Sequence, residues 1–239
     1  MSDALGRAAL YGFTRIDAPE WDDVASADPR RAQLSDQEPT WVPCAEMRGE
    51  GIFLQFSEQW IAEWERGEPV RDRERQCLIP AHDDWREFRR LEPGHWPGPR
   101  YLLLHTFAHT LIRELALESG YSASGIGERI YARTGEHPMA GVLLYTAAPD
   151  SEGTLGGLVS LGDQHSLGAL IDRALDAARL CSSDPLCAEH DPRVHSRLYG
   201  AACHACLFAA ETSCERGNQY LDRTLLVDTL SGADCGFFG

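Results

Sequence analysis

The 239-residue sequence contains no lysine, and all 22 of its basic residues are arginine. That absence removes the phosphate lysine of a P-loop, Schiff-base chemistry, a kinase-type Lys–Glu pair and the nuclease mechanisms that need a catalytic lysine. The chain is not by itself an ATP-driven motor. Positive charge is scarce overall: 37 acidic residues against 22 basic ones give a formal net charge of −15. A broad basic face for gripping phosphates is therefore excluded, and only a local arginine patch remains open. Long apolar runs are also missing. None approaches the roughly 20 residues that span a bilayer, so no membrane partner is expected. The segment Met1–Gly6 has neither the basic nor the apolar part of a secretory signal, so a cytoplasmic location is expected. With 43% hydrophobic residues the chain is long enough to bury a real core, as one large domain or two small ones.

What is present in excess is cysteine near the C-terminal end. Five of the eight cysteines fall in one stretch, as Cys181-x5-Cys187, Cys203-x2-Cys206 and Cys214, in a segment that also holds His190, His195 and His204. A C-x2-C knuckle lets two sulfurs of one tight turn reach a single ion at about 2.3 Å, and a second pair closes a tetrahedron around zinc. Reduced cytoplasmic thiols favour metal over disulfides. The spacing points to two chelating pairs, Cys181 with Cys187 and Cys203 with Cys206, with Cys214 as the alternate ligand. Four thiolates leave no open coordination position, so this zinc is expected to be structural. An iron–sulfur cluster is the alternative occupant. Cys44, Cys77 and Cys235 lie outside the cluster and are expected to be small buried apolar residues.

The chain is expected to be α+β, with mixed helices and short strands ahead of the Cys-rich module. The first hundred residues read as irregular. Within them, 12–16 is expected to be a short strand, 17–39 an exposed loop, and Gly49–Phe56 a better strand. Ser57 is placed to cap a helix bearing Trp60, Ile61 and Trp64 as core residues. Residues 67–99 are charged and punctuated by Pro and Gly, with Trp85, Phe88 and Trp96 as anchors, and a boundary falls near Gly98 between regions 1–98 and 99–239. Tyr101–Ser119 carries Leu104, Phe107, Leu111, Ile112 and Leu115 at helical spacing, with Gly120 to end it. Ser124–Ala132 is expected as a shorter helix, Gly141–Thr146 and Leu158–Leu161 as buried strands, and Ser166–Leu180 as the helix that delivers Cys181.

Two further groups carry possible chemistry. His105 and His109 are one helical turn apart, on the side where imidazoles bind a metal or shuttle protons, or where two hydrogen-bonded histidines edge a core. The glutamate that zinc metalloproteases place beside the first histidine is lacking. Asp150 and Glu152, in the glycine-rich connection 149–157, suit a magnesium or general-base site, or simply an exposed acidic turn.

The motifs His105–His109, Leu144–Thr146 with Ser151–Leu158, Cys181–Cys187, Ala202–Cys206, Thr212–Glu215 and Asn218 with Leu221–Arg223 resemble the MrfA-type zinc-binding domain. That domain is found at the C-terminus of MrfA-like DNA-repair helicases and of the DrmB family of DISARM antiphage systems. The motifs cover residues 101–226, and weaker DrmB-like similarity extends upstream through 12–16 and 48–53. The resemblance implies zinc on Cys181, Cys187, Cys203 and Cys206, with a cysteine at the Cys214 position in some members. It also implies work on DNA, through a complex, beside a superfamily 2 helicase. With no motor in this chain, that helicase subunit acts in trans. Two functions are therefore expected to compete: a non-enzymatic, helicase-associated module of repair or antiviral defence, and a small hydrolase or nuclease using His105, His109, Asp150 and Glu152.

Overall fold

The computed structural model describes residues 3–10, 12–13, 32, 34–37, 40–91, 93–146, 156–194, 197–211 and 213–239. Most of the expected loop 17–39 and of the expected strand 12–16 lies outside them, apart from Phe13, which bridges Ala32. Four strands, β1 (Asp3–Ala9), β2 (Cys44–Gln55), β3 (Ile126–Tyr131) and β4 (Gly141–Thr146), form an antiparallel sheet in the order β1-β2-β4-β3. Strand β2 is shared: Cys44–Glu50 pairs with β1, and Gly51–Gln55 pairs with β4. The helices are α1 (Glu58–Glu65), α2 (Glu68–Arg73), α3 (Ile79–Phe88), α4 (Pro99–Ser119), α5 (Gly157–Ser160), α6 (Gln164–Arg179) and α7 (Arg223–Leu226). The chain is thus α+β.

Residues 58–88 are more regular than their charge suggests. Ser57 caps α1 by accepting from Trp60 N. Pro69 and Pro80 sit in the first turns of α2 and α3, where a missing N–H leaves nothing unpaired. A π-helical turn at Glu74–Leu78 joins the two helices. On α1 only Ile61 is fully buried. Trp64 is half-buried and donates Nε1–H to the Cys235 carbonyl, whereas Trp60 is 66% exposed and is not a core residue. Phe88 is likewise exposed, while Trp85 is buried.

Two short apolar segments adopt the opposite structure from that expected. Ser124–Ala132 yields strand β3, because Ile126, Glu128 and Ile130 alternate onto one buried face and the backbone pairs with β4 along its whole length. Leu158–Leu161 yields helix α5; four residues, three of them apolar, carry no period that separates strand from helix. Gly156, at φ 98°, makes the left-handed entry to that helix, and Glu50 accepts from Val159 N at 2.9 Å and from the Tyr121 hydroxyl at 2.7 Å. Burial opposes the Glu50 charge, but these donors hold its carboxyl below the usual range.

Helix α4 is the centre. Every residue from Pro99 to Ile112 is buried, the mark of a helix enclosed on all sides. Ile52, Ile61, Val70, Leu78 and Trp85 share one apolar core with α4, α6 and α7. Each buried polar residue on α4 has a fixed partner, as buried groups require. Arg100 forks onto Glu58 and Glu65, Thr106 Oγ1 accepts from Asp222 N, and Thr110 donates to the Thr106 carbonyl. Gly120 ends the helix at φ 78°.

Candidate metal centre

Helix α6 ends at Arg179, and its last turn presents Cys181. The loop that follows is folded by Asp184, whose carboxylate accepts from Cys181 N at 2.7 Å and Ala188 N at 2.9 Å, bending Cys187 back towards Cys181. The knuckle Cys203–Cys206 is closed by Cys206 N donating to the Cys203 carbonyl. These two turns face each other. The sulfur separations are 3.5 Å for Cys181–Cys203, 3.7 Å for Cys187–Cys206 and 3.7 Å for Cys203–Cys206, and all four sulfurs lie within 4.8 Å of one another.

A tetrahedron with metal–sulfur bonds of about 2.3 Å has edges of about 3.8 Å, whereas a disulfide brings its sulfurs to about 2.05 Å. The four cysteines are positioned to bind a metal, and zinc suits them. Burial pushes the Cys181 thiol up, and the Cys206 hydrogen bond together with burial pushes Cys187 up. At Cys203 burial acts the same way, but the Ala205 N–H and the neighbouring thiols outweigh it and bring the thiol to about 7. Four thiolates around a divalent ion carry a net charge of −2. Arg223, fully buried, sets its positive charge near Cys187 and Cys206 and is itself held by Asp184 at 2.7 Å and the Ala178 carbonyl at 2.8 Å.

Cys214 is not among the four. It sits with His105, His109 and Glu128 in a second, fully buried cluster, again with all ligand atoms within 4.8 Å of one another. His105 Nε2 lies 2.9 Å from Glu128 Oε1 and 3.1 Å from Cys214 Sγ, and His109 Nε2 lies 3.3 Å from the same Glu128 oxygen. Burial opposes charge on His109, but Glu128 raises it to about 9. Burial also opposes the Cys214 thiolate, and His105 with His109 lowers it to about 6. Glu128 escaped the sequence reading because its segment reads as a helix. Read as a strand, the alternation Ile126-Gly127-Glu128-Arg129-Ile130 places it inward between two isoleucines. Asp150, Glu152 and His195 lie outside the described residues. Cys235 is buried as expected, Cys77 is half-buried and Cys44 is exposed.

Residues 107–207, which include the four clustered cysteines, match the family model of the MrfA Zn-binding domain. Over 231 residues the chain is 43% identical to the DISARM protein DrmB of Bacillus paralicheniformis, an alignment that covers 96% of this chain. It covers 40% of that protein, so the chain spans about two fifths of the length of this curated relative. Residues 107–207 thus match the MrfA Zn-binding domain family, in a chain that is similar to DrmB over 96% of its length.

Proposed function

We propose that this chain is a zinc-stabilised, non-enzymatic accessory module that works with a separate superfamily 2 helicase on DNA in antiphage defence. Cys181, Cys187, Cys203 and Cys206 hold the zinc, which cross-links the end of α6 to the knuckle at 203–206. The observation that carries this reading is the closed set of four sulfurs, which leaves no coordination position for a water or substrate. The missing lysines and the net charge of −15 support a motor, and most of the DNA contact, supplied from outside these residues. The likeness to DrmB supports DISARM as the setting. Within the module, residues 99–239 carry the zinc, and residues 1–98 supply strand β2 and helices α1 to α3 around α4.

A hydrolase using His105 and His109 is disfavoured by their surroundings. Both side chains are wholly buried, and their Nδ1 atoms lie against the main-chain carbonyls of Tyr220 and Leu207. The test is DNA affinity and ATP hydrolysis for this protein, for a helicase subunit encoded beside it, and for the two together. Weak, salt-sensitive DNA binding without ATPase or nuclease activity is expected from this chain alone, with tight binding only for the pair. Metal-dependent DNA cleavage by this chain alone, abolished by His109→Ala, would establish the hydrolase instead.

A further inference from the structure

We propose that His105, His109, Glu128 and Cys214 form a second metal centre, a closed four-ligand site for a divalent ion of zinc-like character, separate from the four-cysteine site. Two ligands project from one face of α4 at i and i+4, one comes from the inward face of β3, and the fourth comes from the loop after residue 213. Two imidazoles, one carboxylate and one thiolate make a borderline-soft set that suits zinc over the hard cations.

The hydrogen bonds around the cluster fix how its atoms face one another. His105 Nδ1 is 3.2 Å from the Tyr220 carbonyl, and His109 Nδ1 is 2.8 Å from the Leu207 carbonyl. A carbonyl only accepts, so both Nδ1 atoms carry the proton, and a neutral ring then presents a bare lone pair at Nε2. Both lone pairs point at the same Glu128 oxygen, itself an acceptor. Without a cation in the middle, each bare Nε2 needs a proton, held on the imidazole itself or on Glu128 or Cys214, between rings whose centres lie 4.6 Å apart and whose side chains have no exposed surface. Two imidazoliums so close repel one another, and a protonated Glu128 or Cys214 gives up the negative charge that the facing donors favour. One divalent ion replaces both protons, balances Glu128 and the Cys214 thiolate, and gives each Nε2 an acid to bind. The Nδ1–carbonyl contacts then become the outer hydrogen bonds that orient metal-bound histidines.

Two observations independent of the histidines agree. Glu128 Oε2 is buried and has no hydrogen-bond partner among the described residues. Cys214 Sγ accepts from the backbone N–H groups of Asn218 at 3.2 Å and Arg216 at 3.4 Å, as a thiolate held by a tight loop would. That loop carries Gly217, Asn218 and Tyr220 at φ 58°, 62° and 58°. Such conformations cost about 1–3 kcal/mol for each non-glycine residue and persist where the surroundings hold them. Tetrahedral zinc with nitrogen, oxygen and sulfur ligands has edges of roughly 3.3–3.8 Å. The observed separations of 2.9–3.3 Å open to that range with side-chain shifts of a few tenths of an ångström.

The experiment is metal stoichiometry on the full chain purified without added metal, with circular dichroism as the check on folding. Two zinc ions per chain are expected for the unaltered protein and one each for Cys203→Ser and Cys214→Ser, with Glu128→Gln weakening the second ion selectively under mild chelation. Cobalt replacement gives a readout that needs no variant: the spectrum is expected to be the sum of a four-thiolate component and a weaker single-thiolate component released in a separate chelation step. A folded unaltered protein with a single ion and a purely four-thiolate cobalt spectrum overturns the proposal. Two ions that survive Cys214→Ser in folded protein overturn it as well. If instead one ion is bound, is kept by Cys203→Ser and is lost by Cys214→Ser, this site stands and the four-cysteine assignment fails.

Discussion

Asp222→Asn is expected to loosen the junction between the N-terminal helices and the cysteine segment. Asp222 is fully buried at the start of α7. One carboxylate oxygen takes two hydrogen bonds from Arg73, at 3.0 and 2.8 Å. The other accepts from Ala201 N at 3.1 Å, Thr224 N at 3.1 Å and the Thr224 hydroxyl at 2.7 Å. Removing one member of a buried ion pair costs about 3–5 kcal/mol. Arg73 keeps 17% of its side-chain exposure and recovers some hydration, and the Asn carbonyl still accepts from Thr224 and Ala201. A loss of about 2–3 kcal/mol is therefore expected for Asp222→Asn. In urea, with a slope of about 2–3 kcal/mol/M, the unfolding midpoint should fall by about 1 M at unchanged slope.

The pH dependence of the same pair has a definite sign. Burial opposes the Asp222 charge, but Arg73 and Thr224 outweigh it and hold the carboxyl below its ordinary range. Its contribution is thus fully present above the unfolded carboxyl value of about 3.9 and is lost as pH falls through the lower folded value. The difference in midpoint between the two proteins should be constant from neutral pH down to about pH 5 and shrink below about pH 4. A midpoint difference of zero at neutral pH, or one that grows on acidification, would refute the reasoning.

Gly200→Ala should destabilise by more than 1 kcal/mol, because a Cβ there meets the Asp222 carboxylate and the Arg73 guanidinium; thermal unfolding reads it, and an unchanged melting temperature contradicts the packing. Ile61→Ala, at a fully buried site, should cost about 2–5 kcal/mol, while Trp60→Ser on the exposed side of α1 should change stability by less than about 0.5 kcal/mol. Denaturant midpoints compare the two directly. Cys44→Ser should leave bound zinc unchanged by elemental analysis, since Cys44 is exposed at the start of β2. Strong chelation should lower the unfolding midpoint of the unaltered protein, because bound metal stabilises only the folded chain.

Where the sequence was informative, it was so through local pattern. The i, i+3, i+4 spacing on α4, the apolar run of β4 and the cysteine spacings each need only neighbouring residues, and each appears in the structure as expected. The failures share a cause, since they depend on partners distant in the chain. Within 124–132, Ile126–Tyr131 becomes a strand because β4 offers an edge to pair with. Leu158–Leu161 becomes a helix because Gly156 opens it and Glu50, 109 residues from Val159, caps it. Trp60 is exposed because α1 meets the core through Ile61. Cys214 is near the other cysteines in sequence, whereas folding places its sulfur against a histidine 109 residues away.

That separation bears on the order in which the chain comes together. The sulfur contacts of 3.5–3.7 Å among Cys181, Cys187, Cys203 and Cys206 span at most 22 residues, whereas the His105–Cys214 contact spans 109. Loop closure grows as the logarithm of length, so closing the longer span costs about 1.4 kcal/mol more chain entropy before any contact forms. The cysteine turns can therefore assemble, and capture metal, while the rest of the chain is still open. The cluster on α4 has no such local route: it exists only once α4, β3 and the segment after residue 213 have met. Hydrogen exchange should follow the same division, with the amides of the 181–206 turns released by local opening and those of α4 around His105 and His109 only by global unfolding.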